Sequence, residues 1–424
     1  MIKNYRKDID SLRGISVLFV IFFHLKLPQF DGGYLGVDIF FVISGFLITS
    51  IILKDKENNK FSLYIFYLRR IRRVIPALFV VTLFSTLVGS YLMTATDFEP
   101  FSKSVISVLF FISNFFFWTE SGYFGAASEL KPLLHTWSLG VEEQFYIFYP
   151  LFLIFFWKFK KNYLILSIIL LSILSFILAQ IGGNFKYVNL SLNYPYFKLP
   201  WEWFWQAGSA DYYLPFGRIW ELMIGALIAF YFQKNTIKEK FVNNIYSYFG
   251  LILIIFSIFT YSENLQYPSV FTLAPAIGTG LIILFATRDT HVRKILSTKL
   301  LVNLGLIAYG LYLWHLPLFV FAKIYLVSDL SFMISVILII LSMILAYLSW
   351  KYIERPFRRR DKITDMNIMS NKKLLTYFAS SFLIIFVSAN IFNFNKTLKV
   401  STELPLEISQ SMERFKAEEH CFDI

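Results

Sequence analysis

The chain of 424 residues is short of cysteine and of charge. Its one cysteine, Cys421, excludes an intrachain disulfide framework, a CxxC redox pair and any multi-cysteine metal site. Charged residues make up 16% of the chain, against about 25% in an ordinary soluble domain, and this excludes soluble globular and disordered classes alike. No fixed-period repeat, low-complexity linker or soluble domain of useful size is found. Apolar residues fill the gap: 57% are hydrophobic, 20% aromatic, and the mean hydropathy is +0.59. Apolar runs of about 20 residues imply membrane spans, so the expected surroundings are a lipid bilayer. The net charge of +12 would suggest nucleic acid for a soluble chain. In a polytopic membrane protein it reads first as basic residues retained on the cytoplasmic side, and no nucleic-acid partner is expected.

Apolar stretches fall near 11–28, 36–53, 74–94, 139–157, 162–181, 214–232, 244–260, 268–286, 300–321, 330–350 and 374–393. A shorter run, 103–118, carries Ser104, Ser107, Ser113 and Asn114, and charge decides its status. If it does not cross, eleven spans with an inner N-terminus put 28 Lys and Arg in inner segments and six in the five outer loops. That asymmetry satisfies the positive-inside rule. The expected fold class is therefore all-α and polytopic with about eleven transmembrane helices. Residues 103–118 would dip into or lie along the membrane, and 394–424 would lie outside. The first span holds Arg13 and His24 and is followed by no small-residue cleavage site, so it is expected to be retained rather than cleaved as a signal peptide.

Ionisable groups inside spans are costly, and each is a candidate for function. Arg13 and His24 are eleven residues apart, three helical turns and a rise of about 16 Å, so both project from one helix face. The spacing predicts the arginine near the cytoplasmic mouth and the histidine in the outer half. Asp38 lies near the outer end of the second span, and Ser44 and Gly45 in its middle are small enough to admit a neighbouring helix. The following inner loop contains Arg69, Arg70, Arg72 and Arg73. On a helix these form i,i+3 pairs suited to bidentate phosphate binding, although such a cluster also serves as a plain topology anchor. PLLHTWSLGVEEQFYIFYP gathers His135, Trp137, Glu142 and Glu143 at the outer edge, where adjacent carboxylates diverge by about 100° and only one faces a given site. Arg218 and Glu221 are i,i+3 and suit an intramembrane salt bridge. His315 is a second intramembrane imidazole, and ERPFRRR at 354–360 reads as an inner anchor. The outer loop 182–213 is rich in aromatics, including Trp201, Trp203, Tyr212 and Tyr213, suited to the interface or to stacking on a sugar.

Together DSLRGISVLFVIFFH with its Arg/Lys-x10-His spacing, GGYLGVDIFFVISGFLIT, the RxxR-type arginines, HTWSLGVEEQFYIFYP, GRIWELMIGALIA, YGLYLWHLPL and IERPFR resemble the integral-membrane acyltransferase family 3 over roughly residues 5–360. The resemblance implies a bacterial inner-membrane enzyme that moves an acyl group, usually acetyl, from cytoplasmic acyl-CoA to a hydroxyl of an extracytoplasmic glycan. O-antigen, another surface polysaccharide and peptidoglycan are the acceptors in view. Arg13 and His24 become the essential pair, with His24 a general base or an acyl-imidazole carrier. Glu142 or Glu143 orients or deprotonates. Arg69, Arg70, Arg72 and Arg73, with Ser44 and Gly45, fall to the acetyl-CoA donor; the rise of about 16 Å matches an extended pantetheine arm. Asp38, His135, Trp137, Arg218, Glu221 and His315 remain acceptor or channel candidates, and no metal is expected. The domain reading is a transmembrane acyltransferase domain, 1–360, a linker with an additional helix, 361–394, and an outer tail, 395–424. Relatives with that additional span usually continue into an SGNH-hydrolase-like domain, whose Gly-Asp-Ser motif these residues lack. A transporter or flippase for a polyphosphorylated or lipid-linked substrate is the other reading of the intramembrane charges.

Overall fold

A computed structural model describes residues 6–121, 128–184, 207–234, 240–262, 265, 267–287, 289–358 and 369–394. These form helices α1 (Lys7–His24), α2 (Gly36–Glu57), α3 (Leu63–Leu92), α4 (Ala95–Leu109), α5 (Ser113–Thr119), α6 (Thr136–Phe156) and α7 (Lys161–Asn184). They continue with α8 (Ile219–Lys234), α9 (Lys240–Thr260), α10 (Leu273–Phe285), α11 (Lys299–Leu326), α12 (Phe332–Leu348) and α13 (Asn371–Phe394). Each of the eleven apolar stretches carries a helix, and no strand occurs among the described residues. Eight of the helices, among them α2, α3, α11 and α13, are long and apolar enough to cross a membrane. Prolines 76, 100, 150 and 317 sit inside α3, α4, α6 and α11, a habit that helix packing tolerates in lipid-embedded helices. The chain divides into two compact units, Met1–Ser62 with Val141–Ala308, and Leu63–Gly140 with Tyr309–Ile424.

Within the first unit, α2 is the central element, and small residues decide what reaches it. A side-chain carbon added at Gly45 would overlap the Leu222 carbonyl, and one at Gly225 the Val42 carbonyl, so the α2 and α8 backbones touch. This is the close approach expected at Gly45. Asp38 meets Arg218 before the crossing and Phe46 meets Phe232 beyond it, so the two helices run in the same direction. That direction is the one expected when three crossings separate them, with 103–118 not among these. Helix α1 runs antiparallel to α2, with Gly36 against Ser16 and Val20 and the Arg13 guanidinium 5.9 Å from the centre of the Phe40 ring. Gly14 in turn faces Leu304 and Gly305 of α11. Helices α9 and α10 pack antiparallel through Gly250 and Gly278.

In the second unit, α3 and α13 run side by side, with Phe79 stacked on Phe378 at 5.3 Å. The uncertain run 103–118 is broken rather than continuous. Helix α4 ends at Leu109, Phe111 adopts the left-handed region at φ 57°, and α5 follows. Phe98 contacts Phe392 near the end of α13, and Phe110 contacts Phe382 ten residues earlier, a descent of about 15 Å alongside α13. Helix α4 therefore runs partway alongside α13 before the chain breaks at Phe111. Trp314 of α11 donates to Ser349 at 2.8 Å, at a π-helical turn over Ser349–Glu354 that follows α12.

Candidate active site

The two sides of α2 carry two different polar assemblies. At 100° per residue, Asp38, Phe41, Val42 and Gly45 share the face toward α8, while Phe40 and Ser44 lie roughly opposite. On the α8 side, Arg218 reaches Asp38 at 3.2 Å and Glu221 at 3.1 Å, all three side chains fully buried. Tyr267 accepts from Arg218 at 2.5 Å and donates to Asp38 at 2.8 Å. The guanidinium also lies over the Tyr267 ring, 4.7 Å from its centre, with Phe41 and Tyr212 flanking it. The i,i+3 pair expected from sequence is present, and Asp38 joins it. Such a closed cluster of one cation and two carboxylates fixes the entry of α8 against α2. Just before it, Asp211 is pushed up to about 7 by burial.

On the opposite side, Ser44 donates to Glu142 at 2.7 Å, and Tyr146, one turn further along α6, donates to the other carboxylate oxygen at 3.3 Å. Ser44 and Glu142 are half-buried, whereas Glu143 is buried. The expected divergence of the two carboxylates is thus resolved: Glu142 is the one that meets α2. Arg13 lies one turn from Ser44 through Phe40, with Asp10 at 4.0 Å. Facing Phe40, it lies about 6 Å along α2 from Gly36, far from the end that carries Lys54 and Lys56. The reason is register: α1 overlaps only the first half of α2. His24 closes α1 roughly one turn past Val20, the residue that packs on Gly36, with its ring 5.5 Å from Phe23.

The second unit places the remaining candidates. The arginines lie in the first turns of α3, which starts at Leu63 rather than near 74 as the apolar run suggested. Arg72 is buried, and its two terminal nitrogens donate to the carbonyls of Phe357 and Met369, at 3.2 and 2.8 Å, and to Asn371 at 2.9 Å. These contacts tie Arg72 to the start of α13. Arg69, Arg70 and Arg73 are half-buried, Arg70 lying over the Phe66 ring. His135 and His315 are buried with ring centres 5.3 Å apart, and Tyr312 donates to the His135 carbonyl at 2.7 Å. Trp137 is buried close by in sequence.

A small, partly open pocket lies beside α4, lined in part by Asp97, Phe101, Phe116, Phe117, Glu120 and Lys131. Lys131 donates to the Glu120 carbonyl at 3.1 Å and approaches its carboxylate at 3.8 Å. Burial pushes the Lys131 ammonium down, with Glu120 partly opposing. Among the described residues no three His, Cys, Asp or Glu side chains form a metal-ligand group.

Sequence reasoning missed Tyr267, Phe40, Tyr146 and the Glu120–Lys131 pair. Tyr146 carried a signal, since it stands i+4 from Glu142; the others are long-range neighbours with none. Most of the aromatic outer loop and the tail 395–424 lie outside the described residues.

The chain matches a family model described as "Acyltransferase domain" over residues 6–351. It is 30% identical over 380 residues to O-acetyltransferase OatA of Staphylococcus aureus, from strain NCTC 8325 / PS 47 and equally from strain COL. Each comparison covers 84% of this chain and 58% of the relative, so the chain spans little more than half the length of these relatives. No solved structure matches it. With most of its length inside the family model, and a polytopic helical fold to go with it, the chain belongs to this acyltransferase family.

Proposed function

We propose that the chain is an acyl-CoA-dependent O-acyltransferase of the bacterial inner membrane, moving an acetyl group from the cytoplasmic donor to a hydroxyl of an extracytoplasmic glycan. One observation carries the reading: in a chain of the acyltransferase family, one face of α2 gathers Arg13 and the hydrogen-bonded Ser44 and Glu142 about midway along a spanning helix. Intramembrane polar groups of this kind are retained for function rather than for stability. In the first unit, Arg13 stabilises charge that develops on the acyl group, and His24, at the outer end of α1, takes the proton of the acceptor hydroxyl. In the second unit, Arg69, Arg70 and Arg73 contact the donor's phosphates. The pocket beside α4 receives a sugar ring, offering aromatic faces together with carboxylates that accept hydroxyl protons. The eleven-span topology with an inner N-terminus is part of the proposal, supported by the common direction of α2 and α8 and by the break at Phe111. The buried Asp38–Arg218–Glu221 cluster gives the charges behind the transport reading a structural role.

The test is coenzyme A release together with acetyl transfer by the purified protein in lipid nanodiscs, compared with His24→Ala. Loss of transfer by about 100-fold or more is the expected outcome for removal of a general base. Substrate movement without thioester consumption, or transfer that survives His24→Ala undiminished, refutes the proposal.

A further inference from the structure

We infer that Ser44 and Glu142 form a nucleophile–base pair, and that the Ser44 hydroxyl is a covalent acyl carrier at the middle of the membrane. The inference rests on the acyl-thioester donor proposed above. Three features of the first unit support it.

The first is the hydrogen bond. Its length, 2.7 Å, lies at the join between ordinary O–H···O bonds and the shorter ones made to carboxylates, and the hydroxyl proton points at Glu142. This is the geometry a serine needs to transfer its proton to an adjacent base as it attacks. Tyr146 donates to the second carboxylate oxygen at 3.3 Å, so Glu142 is held from both sides.

The second is depth. Ser44 lies eight residues after Gly36 and nine before Leu53, about 12 Å from the first and 14 Å from the second, so neither face of the membrane is near. Lipid-facing packing explains a small residue at this level. It does not explain a carboxylate, whose placement here costs a few kcal/mol. The same α2 segment already has its close approach at Gly45, on the face toward α8, so Ser44 is not the residue that admits the neighbouring helix.

The third is the company of Arg13. Phe40 and Ser44 are i and i+4 on one face of α2, and Arg13 packs on Phe40. A guanidinium within one turn of the hydroxyl suits the oxyanion that forms when a carbonyl is attacked. His24 lies on the far side of Gly36, the residue that packs on Ser16 and Val20, and Ser44 on the near side. Arg13 therefore lies between the two along the helix pair, about one turn from Ser44 and three turns from His24.

The step balances without any further reagent. Ser44 Oγ bonds to the thioester carbonyl carbon as its proton passes to Glu142. The tetrahedral species then collapses, the C–S bond breaks, and the departing thiolate takes the proton from Glu142. The products are an acyl ester on Ser44 and free thiol, with no change in oxidation state. The acceptor hydroxyl later displaces the ester, and Ser44 regains its proton.

The experiment is a single turnover of the full chain in nanodiscs with [14C]acetyl-CoA, quenched in acid, with the label located by peptide mass spectrometry. Acetyl ester on the peptide that carries Ser44 is the expected result. Ser44→Ala should lose that label and slow coenzyme A release by about 100-fold or more. Glu142→Gln keeps an acceptor for the Ser44 hydroxyl but no base, and should slow labelling to a similar degree while its SDS-unfolding midpoint stays at the wild-type value. Ser44→Cys should trap a thioester that neutral hydroxylamine cleaves. Wild-type thiol release with no label on Ser44, or a Ser44→Ala protein that turns over within about twofold of wild type, overturns the inference and leaves the donor reading intact. A wild type that releases no coenzyme A refutes both.

Discussion

Replacing Arg218 by methionine keeps most of its volume and removes the cation that pairs with the fully buried Asp38 and Glu221. At an effective dielectric of about 20, a pair of unit charges some 4 Å apart interacts by about 4 kcal/mol, and desolvation of all three groups offsets most of that in the intact protein. Once the arginine is gone the attraction disappears, while the desolvation cost of two buried carboxylates remains. The expected loss is about 3–5 kcal/mol, between two and four powers of ten in the folding equilibrium. Unfolding in mixed SDS and dodecylmaltoside micelles, followed by far-UV circular dichroism, measures it. The triple variant Arg218→Met, Asp38→Asn, Glu221→Gln removes the stranded charges and should recover most of the loss, because an unpaired charge is what costs. Refutation takes either of two forms: Arg218→Met within about 0.5 kcal/mol of wild type, or a triple variant no more stable than the single one.

Other outcomes follow from the same structure. Gly45→Ala places a carbon on the Leu222 carbonyl, where backbone meets backbone, and should cost about 1–3 kcal/mol in the same assay. Gly280→Ala meets only the end of the Ile228 side chain at 3.0 Å and should stay within about 0.5 kcal/mol. Arg72→Ala removes three donated hydrogen bonds, two of them at the start of α13, so limited proteolysis at Asn371–Lys373 should accelerate while coenzyme A binding by the other arginines persists. Asp211 is held up at about 7 against its usual 3.8, so the folded state binds its proton more tightly than the unfolded chain does. Stability should fall as pH rises from about 4 to about 7 and then level off, and Asp211→Asn should flatten that slope. Thr119→Cys, on the exposed end of α5, should react with an impermeant maleimide from outside intact cells and Lys158→Cys only after permeabilisation; the reverse pattern refutes the topology.

Helix positions were legible in the apolar runs because a bilayer-embedded helix must be apolar over most of its length. Boundaries were less so: α3 begins eleven residues before its apolar run, since Arg69 to Arg73 are good helix formers that hydropathy counts against. The Arg218–Glu221 pair and the close approach at Gly45 were legible too, as they depend on spacing within one helix. Asp38 with Tyr267, and Ser44 with Glu142, are separated by 229 and 98 residues, and no local pattern encodes such meetings. The position of Arg13 along α2 was not legible for a related reason. Rise along α1 gives distances within that helix, while depth depends on the register of α1 against α2, set by Gly36 and Gly14. The course of 103–118 was open from composition alone, and the left-handed Phe111 that breaks it has no sequence signature in a residue other than glycine or asparagine.

The glycine crossing of α2 and α8 has a mechanical consequence. Touching backbones, with a three-charge clasp at one end, leave no slack for rotation or sliding between these two helices. They act as a fixed beam, and Ser44 is bolted to the side of it. If the hydroxyl is to be exposed alternately to donor and acceptor, the beam cannot turn to present it. Helix α1 is locked in the same way, through Gly36 on the Ser16 carbonyl and Gly305 on the Asp10 carbonyl, so Arg13 and Ser44 keep a fixed register and the acyl donor and the acceptor have to come to them.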